Sequence, residues 1–282
     1  MKIGIAMFVT DYSIAPGELA RAAEERGFES LWVPEHTHIP TSRKSPWGGG
    51  RILPEVYKQT LDPFMTLTAA AMTTSRIKLA TGICLVVERD PIHTAKEVAT
   101  IDYLSGGRFL FGIGGGWNAE EMANHGTDFK TRFALMRERI EAMRVIWTRD
   151  VAEYRGTHVS FEPMWSWPKP VQKPHPPVIL GGGFPHGARR AIAYGNGWMP
   201  VGGRDTDILA ALPRYRQMVA EAGREYDDLP MSVFAPPQDA DLLKRYRDAG
   251  IDRVVLLLHT AARQGALEKL DACAALLAGL RG

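Results

Sequence analysis

Eight short apolar runs alternate with helical segments along the chain, and this alternation is the feature that most constrains the fold. The runs cover residues 2–8, 30–36, 77–87, 108–116, 177–183, 197–202, 231–236 and 253–259. Most are continuously apolar and do not alternate apolar with polar residues, which is typical of parallel strands covered on both faces. The pattern therefore predicts eight buried, parallel β-strands.

The segments between these runs carry helix signals. Asp62-Pro63 and Asp90-Pro91 each combine an N-cap carboxylate with a proline in the first turn. Helices are predicted over 17–27, from 62 onwards, from 90 to the Gly106-Gly107 pair, and over 132–148, 186–194, 205–223, 240–250 and 264–280. Eight strand–helix units of about 35 residues predict an α/β fold, a (β/α)8 TIM barrel, as a single domain over residues 1–282. An open, doubly wound sheet is the alternative.

Two connections are too long to be simple loops, and both are predicted insertions in the barrel. Residues 37–61 follow the second strand, and residues 150–176 follow the fourth. Long segments of this kind are usually lids or binding loops. The tryptophans in these segments and at strand ends could stack on a planar cofactor or substrate, with core or lid packing as the alternative. These are Trp47, Trp165, Trp167 and Trp198.

The charge balance is close to neutral, because 34 Lys and Arg residues stand against 32 Asp and Glu residues. It indicates neither a nucleic-acid partner nor a membrane surface. No apolar run approaches the roughly 20 residues that span a bilayer, and the first run lacks the cleavage site of a signal peptide. Cys84 and Cys273 do not form a disulfide framework, so a cytoplasmic location is expected.

Glycines concentrate at the ends of the fourth and fifth predicted strands, at residues 112–116 and 181–183. In a barrel, the loops that follow the strands build the active site. Glycine allows backbone N–H groups to approach a ligand closely, and a helix predicted to begin at His186 would direct its N-terminus at the second cluster. The pattern favours an anion site suited to phosphate, with tight turns at the barrel rim as the alternative. Arg189 and Arg190 could aid such an anion, with a solvated helix face as the default interpretation.

His36 ends the second predicted strand, where its side chain would face the barrel mouth and could exchange a proton near neutral pH. A rim histidine without a chemical role is the alternative. His36-Thr37-His38 also matches the H-x-H pattern of metal-dependent barrel hydrolases, but no lysine ends the fourth strand and no metal site is predicted. Glu120 and Glu121 are interpreted as acids favoured by the dipole at the start of a helix.

The order of these motifs resembles the bacterial luciferase-like superfamily. It runs from WVPEH through a Pro/Gly-rich insertion and the stretch between Ile77 and Glu121 to PPVILGGG. Within that superfamily, the chain is most similar to the oxidoreductases that use the deazaflavin coenzyme F420. The matching motifs cover roughly residues 2–202.

The resemblance implies a flavin-type cofactor at the C-terminal mouth of the barrel. Its ring would rest against a bulged third strand with a cis peptide bond between Gly82 and Ile83. His36 is implied to be the catalytic residue that handles a proton near the ring. The cofactor-binding residues implied by position are Glu35, Gly82, Ile83, Gly115, Gly116, Trp117, Gly181, Gly182 and Gly183.

The resemblance leaves the cofactor open between F420 and FMN. The PEH strand end and the insertion after it favour F420. The expected activity is hydride transfer between F420 and a small organic substrate. The alternatives are an FMN-dependent monooxygenase supplied by a separate reductase, a metal-dependent hydrolase, and a cofactor-binding protein without catalysis. Related sugar-phosphate dehydrogenases have a glutamate where this chain has Trp117-Asn118, so no acid is assigned there. A homodimer is expected, because relatives are often dimers.

Overall fold

The structure is a computed structural model that describes residues 1–204 and 207–281. The strands are β1 (Lys2–Ala6), β2 (Ser30–Val33), β3 (Lys78–Thr81), β4 (Phe109–Ile113), β5 (Ala152–Arg155), β6 (Ser160–Met164), β7 (Val178–Gly181), β8 (Gly197–Met199), β9 (Ser232–Phe234) and β10 (Arg253–Leu257). The helices are α1 (Pro16–Glu25), α2 (Val56–Gln59), α3 (Pro63–Ala71), α4 (Pro91–Leu104), α5 (Ala119–Asn124), α6 (Arg132–Thr148), α7 (His186–Tyr194), α8 (Ile208–Glu221), α9 (Ala240–Asp248) and α10 (Arg263–Arg281).

Eight of the strands form one parallel sheet, in the order β8-β7-β4-β3-β2-β1-β10-β9. The two edge strands meet through backbone hydrogen bonds, since Gly202 N donates to Phe234 O at 2.7 Å and Phe234 N donates to Pro200 O at 2.9 Å. These contacts close the sheet into a barrel. The predicted TIM barrel is confirmed, and each of the eight predicted strands overlaps one barrel strand.

Apolar side chains of different sizes fill the middle of the barrel. The buried cluster consists of Ala6, Trp32, Ala80, Leu110, Ile179, Met199 and Val255. A second and larger apolar layer lies between the sheet and the surrounding helices. None of the described helices is long and apolar enough to cross a bilayer.

The predicted helix starts at Asp62 and Asp90 are confirmed. The Asp62 side chain accepts a hydrogen bond from Met65 N at 2.9 Å, and the Asp90 side chain accepts one from His93 N at 2.8 Å. The helix predicted over 205–223 begins at Ile208, because Asp207 caps it. The first two residues of that prediction, 205 and 206, lie outside the described residues.

The third strand is shorter than the predicted run 77–87, which is a correction. It ends at Thr81 and is followed by a 3-10 turn over Val86–Glu88. After the Gly82-Ile83 bond, Cys84 still pairs with β4, because its backbone N donates to Gly112 O at 2.8 Å. The next residue leaves the ladder, and Leu85 N donates to a carboxylate oxygen of Glu35 at 2.6 Å.

The second insertion, residues 150–176, is not a lid. It contains the antiparallel hairpin β5–β6, which is held on the outside of the barrel by α6. Glu138 of α6 accepts hydrogen bonds from three successive backbone N–H groups, those of Thr157, His158 and Val159. No residue of this insertion lines either cavity at the barrel mouth.

Candidate active site

Two cavities open at the C-terminal end of the barrel strands, where the sequence predicts the active site. The first measures about 380 Å³ and extends towards His36 and the first insertion. The second measures about 290 Å³ and extends towards the two glycine clusters. They share a wall that consists of Gly82, Ile83, Gly116, Trp117, Val201, Arg204 and Phe234. A ligand in one cavity would therefore lie next to a ligand in the other.

His36 lines the first cavity and forms a close pair with Glu121. Its Nδ1 atom lies 2.7 Å from Glu121 Oε2, and Glu121 is completely buried. The other carboxylate oxygen of Glu121 accepts a hydrogen bond from Thr37 N at 3.1 Å. This arrangement is that of a Nδ1–H group donating to a carboxylate, which leaves Nε2 to accept a proton and stabilises the imidazolium that forms.

The position of Glu121 corrects its interpretation as a simple helix-start acid. It does lie in the first turn of α5, where Asn118 caps the helix and accepts a hydrogen bond from Glu121 N at 3.3 Å. The same turn directs its carboxylate inwards onto His36. The Asn-x-x-Glu spacing is the sequence signal that could have identified it, because it fixes the start of a helix directly after the fourth strand.

Glu35 lines the first cavity, and its carboxylate holds the segment that follows β3. One oxygen accepts the hydrogen bond from Leu85 N, and the other accepts one from Arg89 Nε at 2.5 Å. Arg89 also pairs with Asp62 at 2.7 Å and Glu97 at 3.0 Å. Both carboxylate oxygens of Glu35 are thus engaged within the protein. Its assignment as a cofactor-binding residue stays a prediction.

The Gly82-Ile83 peptide bond is cis, which confirms the expectation that came from the resemblance. Gly82 lies so close to the barrel interior that an added Cβ atom would stand 3.2 Å from Trp32 and 3.3 Å from Phe234. Both Gly82 and Ile83 line the two cavities, so this short segment forms the surface on which they meet.

The glycine clusters form one wall of the second cavity. Gly115, Gly116, Gly181 and Gly182 line it, and Gly116 and Gly182 have positive φ angles of 63° and 131°. Trp117 lines both cavities. Gly183 does not line either; its carbonyl oxygen instead accepts the hydrogen bond from Gly187 N at 2.7 Å, at the start of α7.

Arg190 completes this wall and corrects its interpretation as a solvated residue. Its guanidinium lies 3.8 Å from the centre of the Phe133 ring, and its Nε atom is buried without a hydrogen-bond partner. Burial lowers the pKa of Arg190, and burial also lowers that of Arg132, which lies 4.2 Å from the same ring. No salt bridge joins either arginine to an acid within the described residues. Half-buried cations without an acid partner, beside an α7 N-terminus that lacks a side-chain cap, fit a phosphate group.

Several aromatic side chains line the first cavity. Trp47 and Tyr57 come from the first insertion and are joined by a hydrogen bond from Trp47 Nε1 to the Tyr57 hydroxyl at 3.1 Å. The His36 ring lies between Tyr57 and Trp117, with ring centres 5.3 and 5.8 Å away. Burial raises the pKa of Tyr57, so its hydroxyl stays neutral.

The other tryptophans singled out from the sequence lie elsewhere. Trp198 is completely buried in β8 and donates to Gly182 O at 2.8 Å. Trp165 and Trp167 are 80% and 56% exposed on the outside of the barrel. The H-x-H pair separates, because His38 bonds to Thr37 and Asn124 instead of sharing a ligand with His36. The described residues contain no group of three His, Cys, Asp or Glu side chains that could hold a metal ion.

A family model described as luciferase-like monooxygenase matches residues 15–271. An uncharacterised protein of Mycobacterium tuberculosis is 41% identical over 283 residues, which cover 99% of each chain. An F420-dependent glucose-6-phosphate dehydrogenase of Amycolatopsis mediterranei is 28% identical over 77% of this chain and 62% of its own length. The crystal structure of the monooxygenase RslO1 from Streptomyces bottropensis superimposes with a TM-score of 0.77 over all of both chains, at 21% identity, and shares the fold.

Proposed function

The chain belongs to the luciferase-like monooxygenase family, and we propose that it is an F420-dependent oxidoreductase that transfers a hydride between the deazaflavin and a neutral alcohol or carbonyl substrate. The observation that carries this proposal is the buried His36–Glu121 pair, with His36 lining the first cavity near Trp117 of the shared wall. Removing a hydride from an alcohol also requires removal of the hydroxyl proton, and a histidine backed by a carboxylate is suited to accept it. The relative named an F420-dependent dehydrogenase supports the same choice of cofactor.

The residues present fit a phosphate-bearing planar cofactor. The ring would lie on the Gly82-Ile83 surface, and the tail would follow Gly115 and Gly116. The phosphate would be held by Arg190, whose buried Nε atom has no other partner, and by the backbone at Gly181 and Gly182. When bound, the deazaflavin supplies a ring carbon that accepts or donates a hydride.

The protein itself binds the substrate and moves the proton. His36 Nε2 accepts the hydroxyl proton of an alcohol in one direction and returns it to a carbonyl oxygen in the other. Glu121 stabilises the positive charge that His36 carries in between. Tyr57 and Trp117 keep the imidazole ring in place from two sides, and together with Trp47 they exclude water from the reacting groups.

The lining of the first cavity favours a neutral substrate. Among its described lining residues, Arg204 is the one Lys or Arg side chain, and it also lines the second cavity. The glutamate of the sugar-phosphate dehydrogenases is replaced by Trp117-Asn118. Aromatic walls with a single cation suit an uncharged alcohol or ketone better than a sugar phosphate.

A cofactor titration tests the proposal. F420 fluorescence should be quenched on binding, with a Kd at least about tenfold lower than that of FMN, a difference of about 1.4 kcal/mol. The matched control is the deazaflavin nucleoside without its phosphate, which should bind more weakly than F420. Tighter binding of FMN, or the absence of F420 binding at micromolar protein, would contradict the proposal.

The second candidate function is an FMN-dependent monooxygenase that obtains reduced flavin from a separate reductase. The observation in its favour is the aromatic lining of the first cavity, because oxygenation requires a site from which water is excluded. Substrate-dependent oxygen uptake with reduced FMN would identify this activity.

A further inference from the structure

Tyr57 has a hydroxyl group of which the proposed reaction makes no use. Its oxygen accepts a hydrogen bond from Trp47 Nε1 at 3.1 Å. A phenolic hydroxyl also has a hydrogen of its own to donate, and within residues 1–204 and 207–281 this hydrogen has no acceptor. Tyr57 is half-buried and lines the first cavity. An unused donor therefore lies at the wall of the space that would hold the substrate.

The position of this hydroxyl is fixed from several directions. Tyr57 lies in the short helix α2, and the chain after α2 is tied to the segment that follows β1, because Leu61 N donates to Val9 O at 2.8 Å. The Tyr57 ring packs against Phe8, with ring centres 4.7 Å apart, and against the Trp47 ring at 5.5 Å. A donor that is already oriented needs no reorganisation when charge develops next to it, which is the condition for effective electrostatic stabilisation.

The hydroxyl belongs to the same part of the cavity as His36. The ring centres of Tyr57 and His36 are 5.3 Å apart, and both side chains line the first cavity. Among the described residues, no hydrogen bond joins the two, because His36 Nδ1 is engaged by Glu121 and the Tyr57 oxygen by Trp47. His36 Nε2 and the hydroxyl hydrogen of Tyr57 are therefore both free to contact one substrate atom.

The surroundings of Tyr57 keep the hydroxyl protonated. Burial raises the pKa of Tyr57, and the hydrogen bond from Trp47 and the charge of Arg204 offset only part of this effect. A neutral phenol donates a hydrogen bond whether His36 carries one ring proton or two. The hydrogen bond that Trp47 donates to the phenolic oxygen also polarises the O–H group, which strengthens it as a donor.

We propose that Tyr57 is a further catalytic residue, whose hydroxyl donates a hydrogen bond to the substrate oxygen while His36 exchanges the proton of that oxygen. This inference rests on the proposed function. In oxidation, the alcohol proton goes to His36 Nε2, the hydride leaves the carbinol carbon for the cofactor with both electrons of the C–H bond, and Tyr57 stabilises the negative charge that develops on the oxygen. In reduction, the carbonyl oxygen accepts hydrogen bonds from protonated His36 and from Tyr57. The proton of Tyr57 stays on Tyr57 in both directions.

Together the two groups define the kind of atom that the site recognises. An alcohol oxygen gives its proton to His36 and still has lone pairs for Tyr57, and a carbonyl oxygen accepts from both groups. An ammonium group has no lone pair, so it would leave the Tyr57 hydroxyl without an acceptor, and it would enter a cavity that Arg204 also lines. The site should therefore select alcohols and ketones over amines, because an unmet polar partner is costly.

The test uses the full chain loaded with oxidised F420, and cyclohexanone labelled with ¹³C at the carbonyl is the probe. Oxidised cofactor has no hydride to give to a ketone, so the complex does not react, and the ¹³C NMR signal reports hydrogen bonds to the carbonyl oxygen. The signal of the bound ketone should lie downfield of its position in Tyr57→Phe, which lacks only the hydroxyl. The matched control Tyr103→Phe makes the same change at an exposed residue of α4 and should leave the signal unchanged.

Kinetics should show the same dependence on Tyr57. Tyr57→Phe should lower kcat with a secondary alcohol by at least about tenfold, with KM and the Kd of F420 changed by less than about threefold, because the donor acts mainly on the charge in the transition state. A ketone that does not bind, or a carbonyl signal that is the same in Tyr57→Phe and the unmodified protein, would overturn the inference. If F420 does not bind, the proposed function is contradicted, and the same comparison of carbonyl signals with oxidised FMN decides the role of Tyr57.

Discussion

The two sides of the barrel mouth carry opposite and separately buried charges. On the His36 side, Glu35, Glu88 and Glu121 lie within one small region. On the side of the second glycine cluster, Arg132 and Arg190 lie against the Phe133 ring with no salt bridge to an acid within residues 1–204 and 207–281. Glu35 is paired with Arg89 and Glu121 with His36, whereas the two arginines have no acid partner in the described part of the chain. The proposed function assigns proton transfer to the first side and anion binding to the second.

The acidic side also shows how three similar carboxyl groups acquire different roles from their partners. Glu35 is fixed by a backbone N–H and an arginine. Glu121 faces a histidine that can take up a proton. Glu88 has no partner and keeps its own proton. On the cationic side both arginines contact aromatic rings, and Arg132 also donates to Phe129 O at 2.6 Å.

The largest expected effect is on kcat, in a variant of the His36 side that should still bind F420. His36→Asn should lower kcat with a secondary alcohol as the probe substrate by at least about 100-fold, because general acid–base catalysis is worth that much. Binding of F420, measured by fluorescence, should change by less than about threefold. Glu121→Gln keeps a side chain of the same size without the charge, and its kcat should be intermediate between those of His36→Asn and the unmodified protein. A similar loss of F420 binding in His36→Asn would show that catalysis and cofactor binding do not depend on separate sides of the barrel mouth.

The next effect concerns the cationic side alone. Arg190→Met should raise the Kd of F420 by about 10- to 100-fold, the range expected for a charge-assisted hydrogen bond worth about 1.5–3 kcal/mol. Its exposed neighbour offers the control Arg189→Met, which should leave the Kd unchanged. The phosphate-free deazaflavin nucleoside should bind equally to all three proteins. An equal loss of affinity for that nucleoside would show that Arg190 does not contact the phosphate.

A third effect concerns the protonated state of Glu88. A carboxyl group whose pKa is about 9 in the folded protein and 4.5 as its ordinary value binds its proton more tightly in the folded state. Its contribution to the free energy of unfolding is therefore complete below about pH 4.5 and is lost as the pH rises towards 9. Between pH 6 and 8.5 the unmodified protein should lose about 3 kcal/mol of unfolding free energy relative to Glu88→Gln. Urea unfolding at the two pH values measures this, and parallel pH dependences would show that Glu88 is ionised in the fold.

The smallest effects concern two tryptophans, one that lines the first cavity and one that lies outside the barrel. Trp47→Phe should raise the KM for an apolar alcohol by a few-fold, about 1 kcal/mol of lost contact area, because Trp47 lines the first cavity. Trp165→Phe should change neither KM nor unfolding free energy by more than about 0.5 kcal/mol, since Trp165 is exposed outside the barrel. Steady-state kinetics of both variants measures the difference, and equal effects would place the substrate elsewhere.

Much of the fold could be predicted because its signals are local. The continuous apolar runs indicate buried parallel strands, and the Asp62-Pro63 and Asp90-Pro91 pairs fix the starts of α3 and α4. The end of β3 at Thr81 was not predicted, because the apolar run continues to residue 87 and the contacts that replace the strand ladder, such as that of Leu85 N with Glu35, join distant parts of the chain. The hairpin β5–β6 escaped detection for a similar reason, since Glu138 of α6 holds its turn.

The site was predictable where a residue follows directly from a strand end. His36 and most of the predicted glycines lie at the cavities, as expected from their places after barrel strands. Glu121 and Arg190 were missed because their directions depend on how α5 and α7 pack against the barrel. Glu88 directly follows the run 77–87 that was interpreted as strand, and the lack of a hydrogen-bond partner for its carboxylate is a property of the folded chain alone.

The shared wall of the two cavities limits how this protein can change its specificity. Gly82, Ile83 and Trp117 contact both spaces, so a substitution there would alter the fit of the substrate and of the cofactor at the same time. Phe8, Tyr57 and Leu257 line the first cavity only. Substitutions at these three positions can therefore change the substrate preference, by evolution or by engineering, while the affinity for the cofactor stays the same.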